Sequence, residues 1–542
     1  GRVWPEAHPP LPLTTCTSSG GCDSVEQTAV TLDASRRWLH DARWTRTSPV
    51  GRYGNCGGQH NWNATLCPDP LTCAANCALE GLRISDYREQ YGVFSKDGGL
   101  HMSYVTAENN IGSRLFLLEG GKSGYRVFHL KNREFTFSID VSTLECGMNA
   151  ALYFVEMPAH GGEGLGNNNA GAAHGLGYCD ARCPHEVLFI QGEANLEGSS
   201  GACCVEMDVF EGNKVASSMT AHPCNTAGLA KCSGIECGDS DKHEYYRGIC
   251  DKDGCEFNPF RLGSKAFFGP NATVNTLKPI TVVTQFLTED GSDHGQLSEI
   301  RRLYIQDGRE IANPQSLLPE IQGDSISDHM CAQEKVAFVK TRDAFNPVGN
   351  YDQFGLKGGL STMGMAFERG MVLAFALWDD TASRMQWLDA LSPHGLSPEV
   401  PGALRGPCHA QWGEPAWMRK ALKDSYAFVS SLRFGEIGST YSDMIQRGPS
   451  SSRAMAAEGS TNLASEQSLR ADLQKPAASL GDSAHLIAMS SAAAACLFLA
   501  SAFVTYRRRQ ASHATGVQLC GQCRANARLL LMSEDALQLD CE

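Results

Sequence analysis

Three carboxylates crowd into six residues of the run Gly201-Ala-Cys-Cys-Val-Glu-Met-Asp-Val-Phe-Glu-Gly-Asn213, with apolar residues between them. On an extended strand Glu206 and Asp208 project to the same face, because side chains alternate with a period of two. Glu211 falls out of that phase, and it joins the same face only if a bulge or a strongly twisted strand end shifts the chain by one residue. Carboxyls gathered in this way suit glycosidic hydrolysis. One attacks the anomeric carbon, while a second, held protonated by nearby negative charge, delivers a proton to the leaving oxygen. The third, Asp208, can share a proton with Glu206 and tune it. The same spacing, taken alone, also fits a calcium site or a solvated acidic face.

The elements that must carry this run are strands. Between about residues 15 and 440 the chain alternates apolar and polar residues in short segments, such as Glu134-Phe-Thr-Phe-Ser-Ile-Asp-Val141 and Ile280-Thr-Val-Val-Thr-Gln-Phe286, separated by Gly, Asn and Asp turns. Long helical periodicity is scarce there. The pattern predicts an all-β fold, a two-sheet antiparallel β-sandwich with long loops carrying function. Residues 1–440 form the predicted folded unit. Residues 441–484, rich in Ser, Ala, Gln and Arg, read as a flexible linker. Residues 485–506 read as a transmembrane helix, since 486–506 carry no charge and Arg507-Arg-Arg509 follows at once, leaving 507–542 as a cytoplasmic tail. An Ala-rich soluble helix is the alternative, and a glycolipid-anchor signal fits less well because 36 residues follow the stretch. In the tail, Cys520-Gly-Gln-Cys523 suits metal binding no better than reduced or acylated thiols. Gly1 stands where a mature N-terminus or a fragment start would, so export is inferred from other features.

A net charge of -14 and a pI near 5.6 argue against a nucleic-acid partner, which would need clustered Lys and Arg. A neutral polymer fits better. Of the 22 cysteines, eighteen fall between Cys16 and Cys408, a density that points to disulfides in an oxidising compartment. Zinc is the alternative, through the pairs Cys179 with Cys183 or Cys232 with Cys237, but regular two-residue knuckles are missing. Sequons at Asn63 and Asn271 agree with export. The expectation is a monomeric extracellular or cell-surface protein, tethered through the membrane segment, that uses neither cofactor nor metal.

The segment Cys203-Cys-Val-Glu206-Met-Asp208-Val-Phe-Glu211-Gly-Asn213 resembles the active-site strand of glycoside hydrolase family 7, the cellobiohydrolase I and endoglucanase I family. It has company in the family's order: Thr65-Leu-Cys-Pro-Asp69, Asn149-Ala-Ala-Leu-Tyr-Phe-Val155, Gly177-Tyr-Cys-Asp180, His222-Pro-Cys224, Cys250-Asp-Lys-Asp-Gly-Cys255, Asn258-Pro-Phe-Arg-Leu-Gly263, Gly370-Met-Val-Leu373, Leu377-Trp-Asp-Asp380 and Met385-Gln-Trp-Leu-Asp389. The resemblance spans about residues 15 to 440. It implies a jelly roll whose concave face holds a cellulose or other β-1,4-glucan chain, with hydrolysis that retains anomeric configuration. Glu206 would be the nucleophile, Glu211 the acid/base, Asp208 the tuning carboxylate, and His222 their neighbour. Trp38, Trp378 and Trp387 match platform tryptophans, on which the apolar face of a sugar ring stacks. Arg36 replaces a further tryptophan, which puts one distant subsite in doubt. Tyr153, Asn149, Tyr178 and Asp180 match cleft-lining positions, and Arg261 and Arg405 match product-side arginines; outside the resemblance, each arginine reads equally as a structural ion pair.

The resemblance also implies the bridges Cys16–Cys22, Cys56–Cys77, Cys67–Cys73, Cys146–Cys408, Cys179–Cys204, Cys183–Cys203, Cys224–Cys250, Cys232–Cys237 and Cys255–Cys331, with Ala78 where a further bridge would have a partner. The loop from Cys224 to Cys255 and residues 338–359 look full length, as in cellobiohydrolases. By contrast, Asn195-Leu-Glu-Gly-Ser-Ser-Gly201 is short. A cellobiohydrolase with a partly open tunnel is the expectation, endo-β-1,4-glucanase the runner-up. A non-catalytic carbohydrate-binding surface protein is the alternative of another class, and the intact carboxylate trio argues against it.

Overall fold

The structure is a computed structural model that describes residues 6–446, apart from 44–54, 59–60, 122, 240–246, 340–351, 394 and 410. Residues 447–542, which include most of the predicted linker 441–484, the predicted membrane helix and the predicted tail, therefore lie outside the described residues, as do parts of the 224–255 and 338–359 loops. Among the described residues no helix is long and apolar enough to cross a membrane.

Two large sheets face each other. One is 8-stranded, with the path Cys255–Phe257, Ser217–His222, Glu206–Gly212, Met148–Val155, Met371–Asp379, Ser113–Leu118 and Ala29–Leu32; the short strand Val127–Phe128 pairs beside it. The other is 9-stranded and runs through Gly21–Glu26, Leu13–Thr17, Tyr426–Glu436, Arg133–Asp140, Ile280–Thr288, Leu297–Gln306 and Arg309–Ala312. Pairing is antiparallel along both paths except where Leu13–Thr17 lies parallel to Tyr426–Glu436. Helices are short, the longest being Asp328–Ala337 and Gly359–Arg369. The expected sandwich is present, and these helices sit in its connections. The folded unit also runs past residue 440, because Tyr441, Met444 and Ile445 pack on Val283, Leu303 and Ile305 of the outer sheet face.

Alternation explains why each central strand serves two surfaces. In Met148–Val155, Met148, Ala150, Leu152 and Phe154 enter the core between the sheets, while Ala151, Tyr153 and Val155 face the other side. Met371–Asp379 repeats the scheme, with Leu373, Phe375 and Leu377 inward and Ala374, Ala376 and Trp378 outward. The core phase is filled by large apolar groups, including the mutually contacting rings Phe128, Phe135 and Phe154. The opposite phase carries Asn149, Ala151, Tyr153 and Val155 on one strand and Val372, Ala374, Ala376 and Trp378 on the other, mostly smaller or more polar than the core phase, which suits a groove across the strands. Residues after the strand Ala29–Leu32 mark one end of that groove, and the strand Cys255–Phe257 marks the other.

All nine implied disulfides form. Cys203 and Cys204 are anchored to Cys183 and Cys179 immediately before the acidic strand, so its entry point is tied on both sides. Cys146–Cys408 spans a sequence separation of 262, against 6 for Cys16–Cys22. Chain entropy removed from the unfolded state grows with loop length. The double substitution Cys146→Ser/Cys408→Ser is therefore expected to lower the calorimetric Tm by more than Cys16→Ser/Cys22→Ser does, with losses of about 3–5 and about 2 kcal/mol respectively. Equal losses would contradict the loop-length account.

Candidate active site

Glu206, Asp208 and Glu211 stand on the strand Glu206–Gly212, between Met148–Val155 and Ser217–His222. The register shifts on both sides: Asp208 faces Tyr153 and Phe210 faces Leu152, which leaves Val209 as the extra residue. Val209 and Phe210 consequently both enter the core. This bulge returns Glu211 to the face of Glu206 and Asp208, as the spacing in the sequence demanded.

Each carboxyl is held by a specific donor. Glu206 Oε2 accepts the backbone N–H of Ala181 at 2.9 Å, with Asp208 two residues on along the same strand. His222, opposite Glu206 in register, brings Nε2 to 3.0 Å from Asp208 Oδ2, while its Nδ1 lies 2.8 Å from the Asp251 carbonyl oxygen. A carbonyl can only accept, so Nδ1 carries a hydrogen and Nε2 is left to share a proton with Asp208. Gly254 makes room for this ring: its φ is +63°, and a Cβ there would stand 2.6 Å from His222 Nδ1. On the other flank, Asn149 Nδ2 donates to Glu211 Oε1 at 2.8 Å, and Asn149 Oδ1 accepts from the Gly212 N–H at 2.9 Å. Asn149 is fully buried, so its carboxamide orients the carboxyl of Glu211.

Behind Glu206 runs a second chain of hydrogen bonds. Tyr153 and Tyr178 hydroxyls meet at 3.0 Å, and Tyr178 donates to Asp180 Oδ2 at 2.6 Å. Asp180 Oδ1 accepts the Arg182 backbone N–H at 2.7 Å. The Arg114 guanidinium lies 3.7 Å over the Tyr178 ring and pairs with Asp33 at 2.5 Å.

Crowding sets the proton count. Burial pushes Glu206 well above the usual carboxylate range; the charges of Asp208 and Asp180 add to it, and His222 and the Ala181 N–H oppose it. Asp208 is likewise raised, first by burial and then by Asp180. Glu211 is pushed up to about 8, by burial and then by the charge of Asp208, against the Asn149 hydrogen bond. Asp180 is raised by burial, with Tyr178 pulling the other way. Carboxyls this close together and this far out of solvent cannot all be ionised, so protons are shared across the group.

The aromatic positions fall along the groove. Trp378 and Trp387 stack with ring centroids 6.1 Å apart at 29°, both half-buried. Trp38 is half-buried beside His40, on the segment that follows the edge strand Ala29–Leu32. Arg36 is exposed and donates to the Ile111 carbonyl oxygen at 3.5 Å. At the opposite edge, Arg261 binds Glu256 at 2.7 Å and Glu334 at 3.0 Å, and Arg405 binds the same Glu256 at 2.8 Å. Both arginines thus belong to a buried ion-pair cluster at the groove's end. Asn63 and Asn271 are exposed, and Asn63 Oδ1 caps its own sequon by accepting the Thr65 N–H at 3.0 Å.

Sequence reasoning passed over four groups. Ala181 contributes through its backbone, which no side-chain pattern reveals. Asp251 and Gly254 lie inside the noted Cys250–Cys255 motif, but only the fold shows them seating His222. Asp389 Oδ2 accepts from Gly147 N–H and Asn213 Nδ2, both at 2.8 Å, and so ties the Trp387 turn to the two strands carrying Asn149 and Glu211. For metals, Glu206, Asp208 and His222 offer atoms within 4.8 Å of one another, yet Asp208 and His222 already pair with each other. The cysteine-containing clusters use sulfurs committed to disulfides, which are not thiolate ligands.

A β-sandwich with a groove, stacked indoles and a carboxylate trio on one strand, with Glu206 and Asp208 buried and Glu211 half-buried, defines a polysaccharide-cleaving hydrolase. The sequence matches glycosyl hydrolase family 7 over residues 1–441. A cellobiohydrolase of that family from Daphnia pulex is similar at 40% identity, covering 81% of this chain and 100% of that one, with a TM-score of 0.75. The endocellulase EGI of Humicola insolens is 35% identical with the same coverages and a TM-score of 0.68. A cellobiohydrolase from Melanocarpus albomyces, solved with cellotetraose, is 33% identical, again covering 81% and 100%, with a TM-score of 0.72. The chain belongs to glycosyl hydrolase family 7 and is a retaining glycoside hydrolase, a β-1,4-glucanase of the cellulase class.

The proton arithmetic has a measurable consequence. An acid with a pKa near 8 is lost above that pH, so kcat/KM is expected to fall about tenfold per unit above pH 8. Stability moves the same way. The Glu211 pKa is raised on folding, so its contribution is fully present below its ordinary value of 4.5 and is lost as pH rises through about 8. Glu211→Gln should therefore lose activity, abolish that alkaline limb and raise Tm at pH 8 relative to the parent; a lower Tm there would contradict the burial argument.

Proposed function

We propose that the protein is a cellobiohydrolase that releases cellobiose from cellulose through a partly open tunnel. The observation that carries the chemistry is the division of labour on one strand. Glu206, fixed by the Ala181 N–H, attacks the anomeric carbon and forms a glycosyl ester. Glu211, held protonated and aimed by Asn149, gives its proton to the departing glycosidic oxygen. In the second half, Glu211 takes a proton from water as that water attacks the same carbon from the face the leaving group left, and two inversions restore the starting configuration. Asp208 and His222 hold the proton that would otherwise sit on Glu206, so that the nucleophile is ionised when substrate arrives.

On the groove, Trp38, Trp378 and Trp387 would stack glucose rings on the side from which the chain enters. Tyr153, Tyr178 and Asp180 would surround the sugar being cut, and Arg261 and Arg405 would present their remaining N–H groups to the product. The likeness to the Daphnia pulex cellobiohydrolase over its whole length supports the exo reading, as do the lengths of the Cys224–Cys255 loop and of residues 338–359. One observation favours endo action: the short 195–201 turn is tied down by Asn195 Nδ2, which donates to Ser200 O at 2.8 Å and to His185 O at 3.0 Å, leaving the roof open there. Chromatography of products from amorphous cellulose separates the two. Cellobiose as the dominant soluble sugar from the first minutes is expected, and early cello-oligomers of mixed length would give the endo reading. Glu206→Gln should reduce release by about 10⁴-fold or more, and undiminished release would refute the nucleophile.

The disulfides and the family indicate a secreted protein. We further propose that residues 485–506 tether it to the cell surface, on their length, lack of charge and the following Arg507-Arg-Arg509. Full-length protein is expected in the detergent-extracted membrane fraction; recovery in buffer alone would reject the tether.

A further inference from the structure

The bulge that aligns the three carboxyls is braced from the opposite sheet. In the strand Leu297–Gln306, Ile300, Arg302 and Tyr304 share the face that enters the sandwich core, and Arg302 is 2% exposed among those apolar neighbours. Its Nη2 donates to the carbonyl oxygen of Val209, the residue that the register skips on both sides of the acidic strand. Its Nη1 lies 3.5 Å from the Tyr304 hydroxyl, and its Nε, also buried, has no hydrogen-bond partner. Among the described residues no carboxylate forms a salt bridge with it. A guanidinium buried without a counter-charge costs stability, and an apolar residue of similar length would fill the same space without that cost. A bulge residue, in turn, drops out of the regular ladder and needs a partner for its backbone from elsewhere.

We propose that Arg302 is a positioning residue of the hydrolytic site: it holds the Val209 carbonyl and thereby fixes the bulge that keeps Glu211 in phase with Glu206 and Asp208. It never touches substrate. The chain of cause runs from Arg302 to Val209, two residues before Glu211, and from there to the Asn149–Glu211 hydrogen bond. The inference rests on Glu211 being the acid/base. That reading is checked separately, by trapping the unaltered enzyme with a 2-deoxy-2-fluoro-cellobioside bearing a dinitrophenolate leaving group and finding the label on Glu206, and by the lost alkaline limb of Glu211→Gln.

The test uses Arg302→Met, which keeps length but removes donors and charge, and Arg302→Lys, which keeps the charge and one donor head. Turnover of a soluble aryl cellobioside is normalised to the fraction that the fluoro sugar can trap. For Arg302→Met, kcat is expected to fall about tenfold to a hundredfold with KM within about twofold, because a slipped acid loses transition-state contacts while the groove's binding surfaces stay. The alkaline limb of kcat/KM should also move toward lower pH by about half a unit or more, as Glu211 swings away from the charge of Asp208. Arg302→Lys should recover part of both. Wild-type kcat and an unmoved limb in trappable Arg302→Met would overturn the proposal, and so would a lowered Tm with normal kcat per trapped site. Should Arg302→Met fail to fold, Arg302→Lys decides by the same two readouts.

Discussion

Several carboxyl groups crowded onto one face and largely withdrawn from solvent cannot all carry charge, and much of the site's architecture answers that constraint. Burial and mutual repulsion raise Glu206, Asp208, Glu211 and Asp180 together. What separates their roles is the donors that each one meets. Glu206 receives the backbone N–H of Ala181, while Asp208 meets His222 Nε2 at 3.0 Å. Glu211 receives a carboxamide N–H from Asn149, which opposes the effect of burial without cancelling it. Reaction chemistry and fold stability therefore pull in opposite directions at this strand, a common condition of sites that bury charge.

Holding such a strand in place falls to its surroundings. Two disulfides pin the residues just before Glu206, and Gly254 lets a neighbouring turn approach close enough to seat His222. Asp389 links the Trp387 turn to the strands of Asn149 and Glu211 through Gly147 and Asn213. Trp387 is thus mechanically connected, through Asp389, to the strand that carries Glu211. The ion-pair cluster of Glu256, Glu334, Arg261 and Arg405 plays the corresponding part at the far edge of the groove, where a rigid wall of charged groups replaces apolar packing.

Much of this was legible before any coordinates. Period-two alternation fixes which residues of Met148–Val155 and Met371–Asp379 face the core, because a strand presents its side chains to two sides whatever its neighbours are. The phase conflict at Glu211 announced the bulge, since three acids that act together have to share a face. The nine disulfides followed from family resemblance rather than from spacing, since cysteine connectivity is set by which loops meet in space.

Tertiary structure decided what depends on proximity between distant segments. Asn149 reads in sequence as one polar position in a strand, yet its neighbour across the sheet turns it into the clamp on Glu211. Arg302 reads as one of two adjacent arginines, and only the packing of one sheet on the other places it under Val209. The helices Asp328–Ala337 and Gly359–Arg369 escaped notice because short helices in long connections lack the repeated apolar stripe that marks a longer one. The types and order of the reacting groups were therefore written along the chain, where alternation and composition act locally. Their proton affinities were not, because these arise from burial and from charges that come together only when the two sheets close.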